Sequence, residues 1–335
     1  MVWNLLPKPR KTNLLKRPAD ARWWGLGLSE WLGYPMRPWT FPESGIPICR
    51  HTNGTFRLWD PVTLEPGPVH PEPKFMEQAA GLALSHDGKR FAFATKAGSV
   101  VIWDVPEEAC FAELPWVPSE NAMVAFSPDS KMVAAAAAGK ELTVWDISER
   151  RRIASLPKSE SMPIQGMLHF APDNQTLAVV NVDGMGEVWN LQRKERVRYW
   201  STGAKVTGAP PFSALSPDGS TLAVALDSNA SLRLWNLATG QERLLAQTLT
   251  SCLALAFSPD GQRIAGGSND GSIWIWNLQT FQQVARFQAH NGRGRADLWV
   301  VGLAFLPDGN TLISSTSETV RVWHAPSWAE IEKGR

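Results

Sequence analysis

Tryptophan returns along this chain at a nearly fixed interval. Trp59, Trp103, Trp145, Trp189, Trp235, Trp276 and Trp323 are separated by 44, 42, 44, 46, 41 and 47 residues. Six are followed by a short polar residue (Asp60, Asp104, Asp146, Asn190, Asn236, Asn277), and the seventh by His324. A proline lies 16 to 18 residues upstream of six of them, at Pro42, Pro128, Pro172, Pro217, Pro259 and Pro307. The Trp103 copy has His86 in that slot, inside Ser-His-Asp-Gly. Self-similarity at this period means stacked modules, because one module cannot bury its own apolar faces. The two domains that a length of 335 residues would suggest therefore give way to one array.

The copy from Phe257 to Asn277, FSPDGQRIAGGSNDGSIWIWN, shows how a module is built. Pro259, Asp260 and Gly261 suit a tight reversal whose glycine takes the left-handed conformation. Asn269-Asp270-Gly271 is a second reversal of hairpin type. Arg263 to Ser268 is long enough for one strand. In the next strand Ile273 and Ile275 face one way while Trp274 and Trp276 face the other. The same pairing recurs as Phe56 and Leu58, Val100 and Ile102, Leu142 and Val144, Leu232 and Leu234, and Val320 and Val322. A strand apolar on both faces must be covered on both. Burying the apolar part of one such tryptophan is worth a few kcal/mol by area.

The Trp-Asp and Trp-Asn dipeptides, the Ser-Pro-Asp-Gly turns and the period resemble the WD-repeat family across about residues 36 to 326. The resemblance implies an all-β fold, a seven-bladed β-propeller of four-stranded antiparallel blades. Typical members also build a hydrogen-bonded His-Asp-Ser/Thr-Trp tetrad inside a blade. Six residues before each Trp, only Asp183 and Asp270 are acidic; Asn53, Ala97, Gly139, Asn229 and Ser317 fill the other slots. The Gly-His that opens a family repeat is represented only by Ala289-His290. No repeat is expected to complete the tetrad.

Net charge of +1 argues against general nucleic-acid binding, which needs a strong basic footprint. Cys49, Cys110 and Cys252 have no framework or metal spacing and read as small buried apolar residues, which suits a reducing compartment. The opening Met-Val-Trp-Asn-Leu-Leu-Pro lacks the build of a secretory signal, and no apolar run reaches the roughly 20 residues of a spanning helix. A cytoplasmic, monomeric protein is expected. Basic segments such as Arg151-Arg152-Ile153-Ala154 and Arg196-Val197-Arg198-Tyr199 read as charged outer edges that discourage aggregation. The residue after each Trp is expected to bond to the backbone of the following turn.

Residues 1–35 form a basic, Trp-rich segment. Lys8, Arg10, Lys11, Lys16, Arg17, Arg22 and Arg37 face Asp20 and Glu30 over the first 38 residues, giving +5 and leaving about −4 for the rest. Such a segment could dock on a membrane surface or a partner, but Pro7, Pro9 and Pro18 interrupt any long amphipathic helix. The expectation is that Trp23 to Leu28 supplies a ring-closing strand. Residues 327–335 look like a helix start, with Ser327 and Glu330 forming a capping box, and are similar to tails that end many bacterial WD-repeat chains.

No His-Glu-x-x-His, paired metal-spaced cysteines, Gly-Lys-Ser/Thr loop or Gly-x-Ser-x-Gly elbow occurs. Catalytic, metal-binding and cofactor-binding residues are therefore expected to be none, with no cofactor. The reading is a non-catalytic protein-interaction scaffold that binds a protein or peptide through loops on one face. The alternatives are a propeller-type hydrolase or oxidoreductase with a channel-centred site, or the regulatory domain of a larger signalling assembly. The longest connection, Ala289 to Trp299, precedes the seventh copy. The resemblance places it on the face that most often receives partners, beside the connections carrying Trp116 and Lys205. Arginine and tryptophan are enriched at interface hot spots, so Arg293, Arg295 and Trp299, with Trp116 and Lys205, are the candidate protein-binding residues. The seven repeat tryptophans, Asp183 and Asp270 are the structural set.

Overall fold

The computed structural model describes residues 10–15, 21–23, 46, 48–51, 53–60, 63, 65–119, 122–137, 139–157, 166–181, 185–201, 212–226, 231–247, 251–292, 298–316 and 319–325. They form seven four-stranded antiparallel sheets, the blade count and strand order of a seven-bladed β-propeller. Blade 1 comprises β2 (Ala21–Trp23), β3 (Ile48–His51), β4 (Thr55–Trp59) and β5 (Pro66–Pro71). Blade 2 comprises β6 (Ala79–Leu84), β7 (Arg90–Thr95), β8 (Ser99–Asp104) and β9 (Ala109–Pro115), preceded by a 3-10 turn at Lys74–Gln78. Blade 3 holds β10 (Met123–Phe126), β11 (Met132–Ala136), β12 (Leu142–Asp146) and β13 (Arg151–Leu156). Blade 4 holds β14 (Gly166–Phe170), β15 (Thr176–Asn181), β16 (Met185–Asn190) and β17 (Glu195–Ser201). Blade 5 holds β18 (Phe212–Leu215), β19 (Thr221–Leu226), β20 (Ser231–Asn236) and β21 (Glu242–Gln247). Blade 6 holds β22 (Cys252–Phe257), β23 (Arg263–Ser268), β24 (Ser272–Asn277) and β25 (Gln282–Gln288). Blade 7 holds β26 (Gly302–Phe305), β27 (Thr311–Ser315) and β28 (Val320–His324), and its fourth strand is β1 (Arg10–Leu15).

β1 runs antiparallel to β28, with Arg10 opposite His324 and Leu15 opposite Val320. Strands of two blades thus lie upstream of residue 36. Trp23 ends the innermost strand of blade 1, where it pairs with Cys49, and the segment on β28 is the earlier one. The capping box expected at Ser327 and Glu330 lies outside the described residues, as does Asp183.

The chain divides into two compact units, residues 42–44 with 70–248, and residues 1–41, 45–69 and 249–335. In the first, Trp145 packs with Ile102 and Leu114 of blade 2, Trp189 with Ala154 and Leu156 of blade 3, and Trp235 with Val188 and Trp200 of blade 4. In the second, Trp323 packs with Ile275 and Phe287 of blade 6, and Trp59 with Ile313 and Val322 of blade 7. One rule covers all five. The repeat tryptophan is the residue that the third strand of a blade lays on a neighbouring blade, while the residues flanking it in that strand face the other way. Trp145 and Trp235 are each 1 % exposed, and Trp103 is only half-buried.

Two turn chemistries repeat with the strands. After each of six tryptophans the Asp or Asn Oδ1 accepts the N–H three residues on: Thr63 at Asp60, Glu107 at Asp104, Glu149 at Asp146, Arg193 at Asn190, Thr239 at Asn236 and Thr280 at Asn277. The chain then passes through positive φ at Glu108, Arg150, Lys194, Gly240 and Phe281, and a bulge opens the outer strand in blades 2, 3, 4 and 6 at the tryptophan itself. In the Ser-x-Asp turns the hydroxyls of Ser85, Ser127, Ser216 and Ser258 donate to Asp87, Asp129, Asp218 and Asp260. Blades 4 and 7 keep the turn without the serine, because Thr176 and Thr311 donate to Asp173 and Asp308 from the other side.

Cys252 is buried, and burial pushes its thiol up to about 12. Cys110 departs from the buried role expected for it. It is exposed, because it sits on the outer strand β9, and its thiol is raised first by partial burial and then by Glu113.

Candidate partner-binding connections

The connections in question run from the outer strand of one blade to the innermost strand of the next. Trp116 follows β9 directly. Its N–H donates to the Gly98 carbonyl at 2.9 Å, and Pro118 lies 2.8 Å from where a Cβ on Gly98 would be. The ring packs on the blade 2–3 core, and its buried indole N–H has no acceptor among the described residues. Trp116 is therefore half-buried and fixed to the β7–β8 turn. Lys205, in the connection after β17, lies outside the described residues.

The connection from β25 to β26 leaves and returns at one place. Ala289 and His290 donate their N–H groups to the Gly271 carbonyl at 2.9 and 3.0 Å, and Val300 donates to the Ser268 carbonyl at 3.0 Å. Gly271 has φ +84°, and a Cβ there would lie 2.2 Å from the His290 carbonyl oxygen. No residue but glycine fits that turn. The Gln288 amide ties the Asp270 and His290 carbonyls together at 2.7 Å each. Residues 291–299 thus spring from two points on the β23–β24 turn. Trp299 is half-buried at the return end, while Arg293 and Arg295 lie outside the described residues.

Asp270 has a different place from the tetrad position its spacing suggests. Its Oδ1 accepts the Ser272 N–H at 2.8 Å, and Arg286 stands 3.9 Å from Oδ2. The carboxylate caps the hairpin under the connection. The network that the spacing did not reveal is in blade 7. The Trp323 indole donates to Ser314 Oγ at 2.8 Å, and Ser314 Oγ lies 2.9 Å from His290 Nε2. His290 Nδ1 lies 3.0 Å from Thr319 Oγ1, which meets Thr316 Oγ1 at 3.2 Å. Blade 7 therefore builds a four-residue relay with a threonine in place of the acid, so the full His-Asp-Ser/Thr-Trp tetrad is not completed there either. The one legible signal was Ala289-His290.

Blade 4 solves the same problem with charge. Glu187, 4 % exposed, accepts the Trp189 indole at 3.0 Å and the Arg196 guanidinium at 2.9 Å. Blade 5 reverses the signs at equivalent positions, pairing Arg233 with Glu242. Among the described residues no helix is long and apolar enough to cross a membrane.

The repeat geometry is matched by sequence comparison. The family model described as WD domain, G-beta repeat, matches residues 244–277 and 281–324, which are the last strand of blade 5 with β22 to β24 of blade 6, and β25 with β26 to β28 of blade 7. These two stretches are WD repeats. Protein groucho of Drosophila melanogaster is 34 % identical over 114 residues, covering 32 % of this chain and 14 % of that protein. Periodic tryptophan protein 2 of Arabidopsis thaliana is 27 % identical over 152 residues, covering 44 % and 16 %. Protein LST8 homolog of Drosophila melanogaster is 27 % identical over 192 residues, covering 49 % and 60 %. The WD repeats thus match less than two thirds of each relative's length.

Proposed function

We propose that this WD-repeat chain is a non-catalytic scaffold that binds a protein or peptide through the connections between blades, with residues 291–299 as the principal contact. The observation that carries the reading is the double anchorage of that connection on Ser268 and Gly271. A nine-residue excursion held at both ends loses less freedom on binding than a loose one, and it carries Arg293, Arg295 and Trp299, residue types that anchor interfaces. Trp116 and Lys205, each on its own connection, are separate candidate contacts. A monomer without general nucleic-acid affinity, working in the cytoplasm, fits the near-neutral charge.

The test is Arg293→Glu combined with Arg295→Glu in a protein of unchanged melting temperature. Affinity capture from the source cells with wild type identifies the partner by mass spectrometry. The double variant should retain that partner at least about tenfold less well. Undiminished capture would remove this connection from the interface.

A further inference from the structure

Outer strands are the exposed edges of every blade, and one of them differs from the rest. In β17, Glu195 to Tyr199 are exposed without a break, whereas β5, β9, β13, β21 and β25 have at most three exposed residues in succession. Four large apolar side chains are exposed among the described residues. Val197 at 39 % and Tyr199 at 48 % are on β17, and Leu244 at 48 % is on β21 of the next blade. Residues 191–201 hold Arg193, Lys194, Arg196 and Arg198 against Glu195 alone.

The cations are held in place. The Arg196 guanidinium is fixed by the buried Glu187 and lies 5.2 Å from the centre of the Tyr199 ring and 6.0 Å from that of Trp189. Arg198, on the opposite face, reaches across to the Ala238 carbonyl at 2.6 and 3.1 Å. That carbonyl takes two of the five guanidinium N–H donors, and the charge has no ion-pair partner among the described residues. Beyond the bulge at Val197 the strand is regular, Arg198 to Ser201 pairing with Val188 to Met185. This is an extended edge with fixed positive groups on both sides and apolar area between them.

We propose that the β17 edge docks an acidic segment in extended conformation, which adds to blade 4 as a fifth strand. Main-chain pairing supplies the affinity in strand addition, and alternate side chains supply the choice of partner. A second copy of this chain is disfavoured, because pairing two such edges would set one net-cationic edge, four cations to one acid over residues 191–201, against another. An acidic strand reverses that sign and places its apolar residues over Val197 and Tyr199. The site shares no residue with the 291–299 connection.

The experiment uses the full chain and a fluorescein-labelled peptide Glu-Val-Glu-Val-Glu-Val-Glu, followed by anisotropy. Two controls are the peptide with lysine for glutamate, and the acidic peptide with alternate backbone nitrogens methylated. The acidic peptide should bind the wild-type chain and the Arg293→Glu, Arg295→Glu variant equally. Its Kd should rise about tenfold or more in Arg198→Glu and, separately, in Lys194→Glu, whose side chain makes no contact that folding needs. Methylation should weaken it similarly. No binding at millimolar peptide, equal binding of the lysine peptide, or indifference to methylation or to both substitutions would overturn the proposal. None of those outcomes would bear on the 291–299 connection.

Discussion

A Cβ placed on Gly186 would fall 1.9 Å from the Trp200 ring. The two residues face each other across β16 and β17, and the glycine is what lets the indole lie flat in the sheet and stack on Trp235, centre to centre 6.2 Å. Gly186→Ala should therefore destabilise by about 1–3 kcal/mol through overpacking. Adding Trp200→Leu should recover part of that loss, since the leucine frees the space. Urea denaturation of the two variants decides it, and a double variant weaker than Gly186→Ala alone would show that the close approach is not the cause.

Trp145→Ala and Trp235→Ala each leave a large void between two blades and should cost about 3–5 kcal/mol. Asp270→Ala removes a half-exposed cap from the β23–β24 hairpin and should cost about 1 kcal/mol. The order of denaturation midpoints is the readout. An Asp270 variant weaker than either tryptophan variant would refute it.

Ser314→Ala breaks two bonds at once, the one from Trp323 and the one to His290, inside blade 7. The expected cost is about 1–3 kcal/mol, that of buried polar groups left without partners. His290→Phe should cost no more in the Ser314→Ala background than a small fraction of what it costs alone, because the two residues act through one chain of bonds. Additive losses would mean that the relay does not work as a unit.

Acid should act on the turns. Asp218 is held below its ordinary value of 3.8 chiefly by the Ser216 hydroxyl and then by the Ser220 N–H, with burial opposing. Asp146 is held below it by the Glu149 N–H and the Ser148 hydroxyl. A carboxylate depressed in the folded state adds stability that is present above the unfolded value and lost as pH falls through the folded one. Stability should thus be level above about pH 5 and decline from about pH 4 downward. Asp218→Asn should be less stable than wild type at neutral pH and lose less on acidification. A parallel pair of curves would contradict the assignment.

The blades were legible because their signals are local. A reversal needs Pro, Asp and a residue that tolerates positive φ within four positions, and the paired strand that follows needs one residue type at one spacing. Tryptophan at the blade interface adds a mark that hardly anything else in a chain makes. The blade 7 relay was illegible because threonine does the work of an acid at Thr319, and hydroxyls have no spacing of their own. The outer strand of blade 7 was placed too late, at Trp23 to Leu28 rather than Arg10 to Leu15. Arg-Lys-Thr-Asn-Leu-Leu has little alternation, and its partner is specified far away in the chain. For the binding connections, residue type pointed to Trp116, but only coordinates show its ring folded into a core.

The pairing of Arg10 with His324 sets a timetable for biosynthesis. As the chain leaves the ribosome, blades 1 to 6 can each close as soon as their own four strands have emerged, but β1 must wait for β28, which follows all of them. Until then it is an unpaired edge, open to proteases and to chaperones. A rearranged gene that carries the codons for residues 10 to 15 after residue 325 rather than ahead of blade 1 would place β1 close behind its partner, and should shorten that wait without altering the finished sheet.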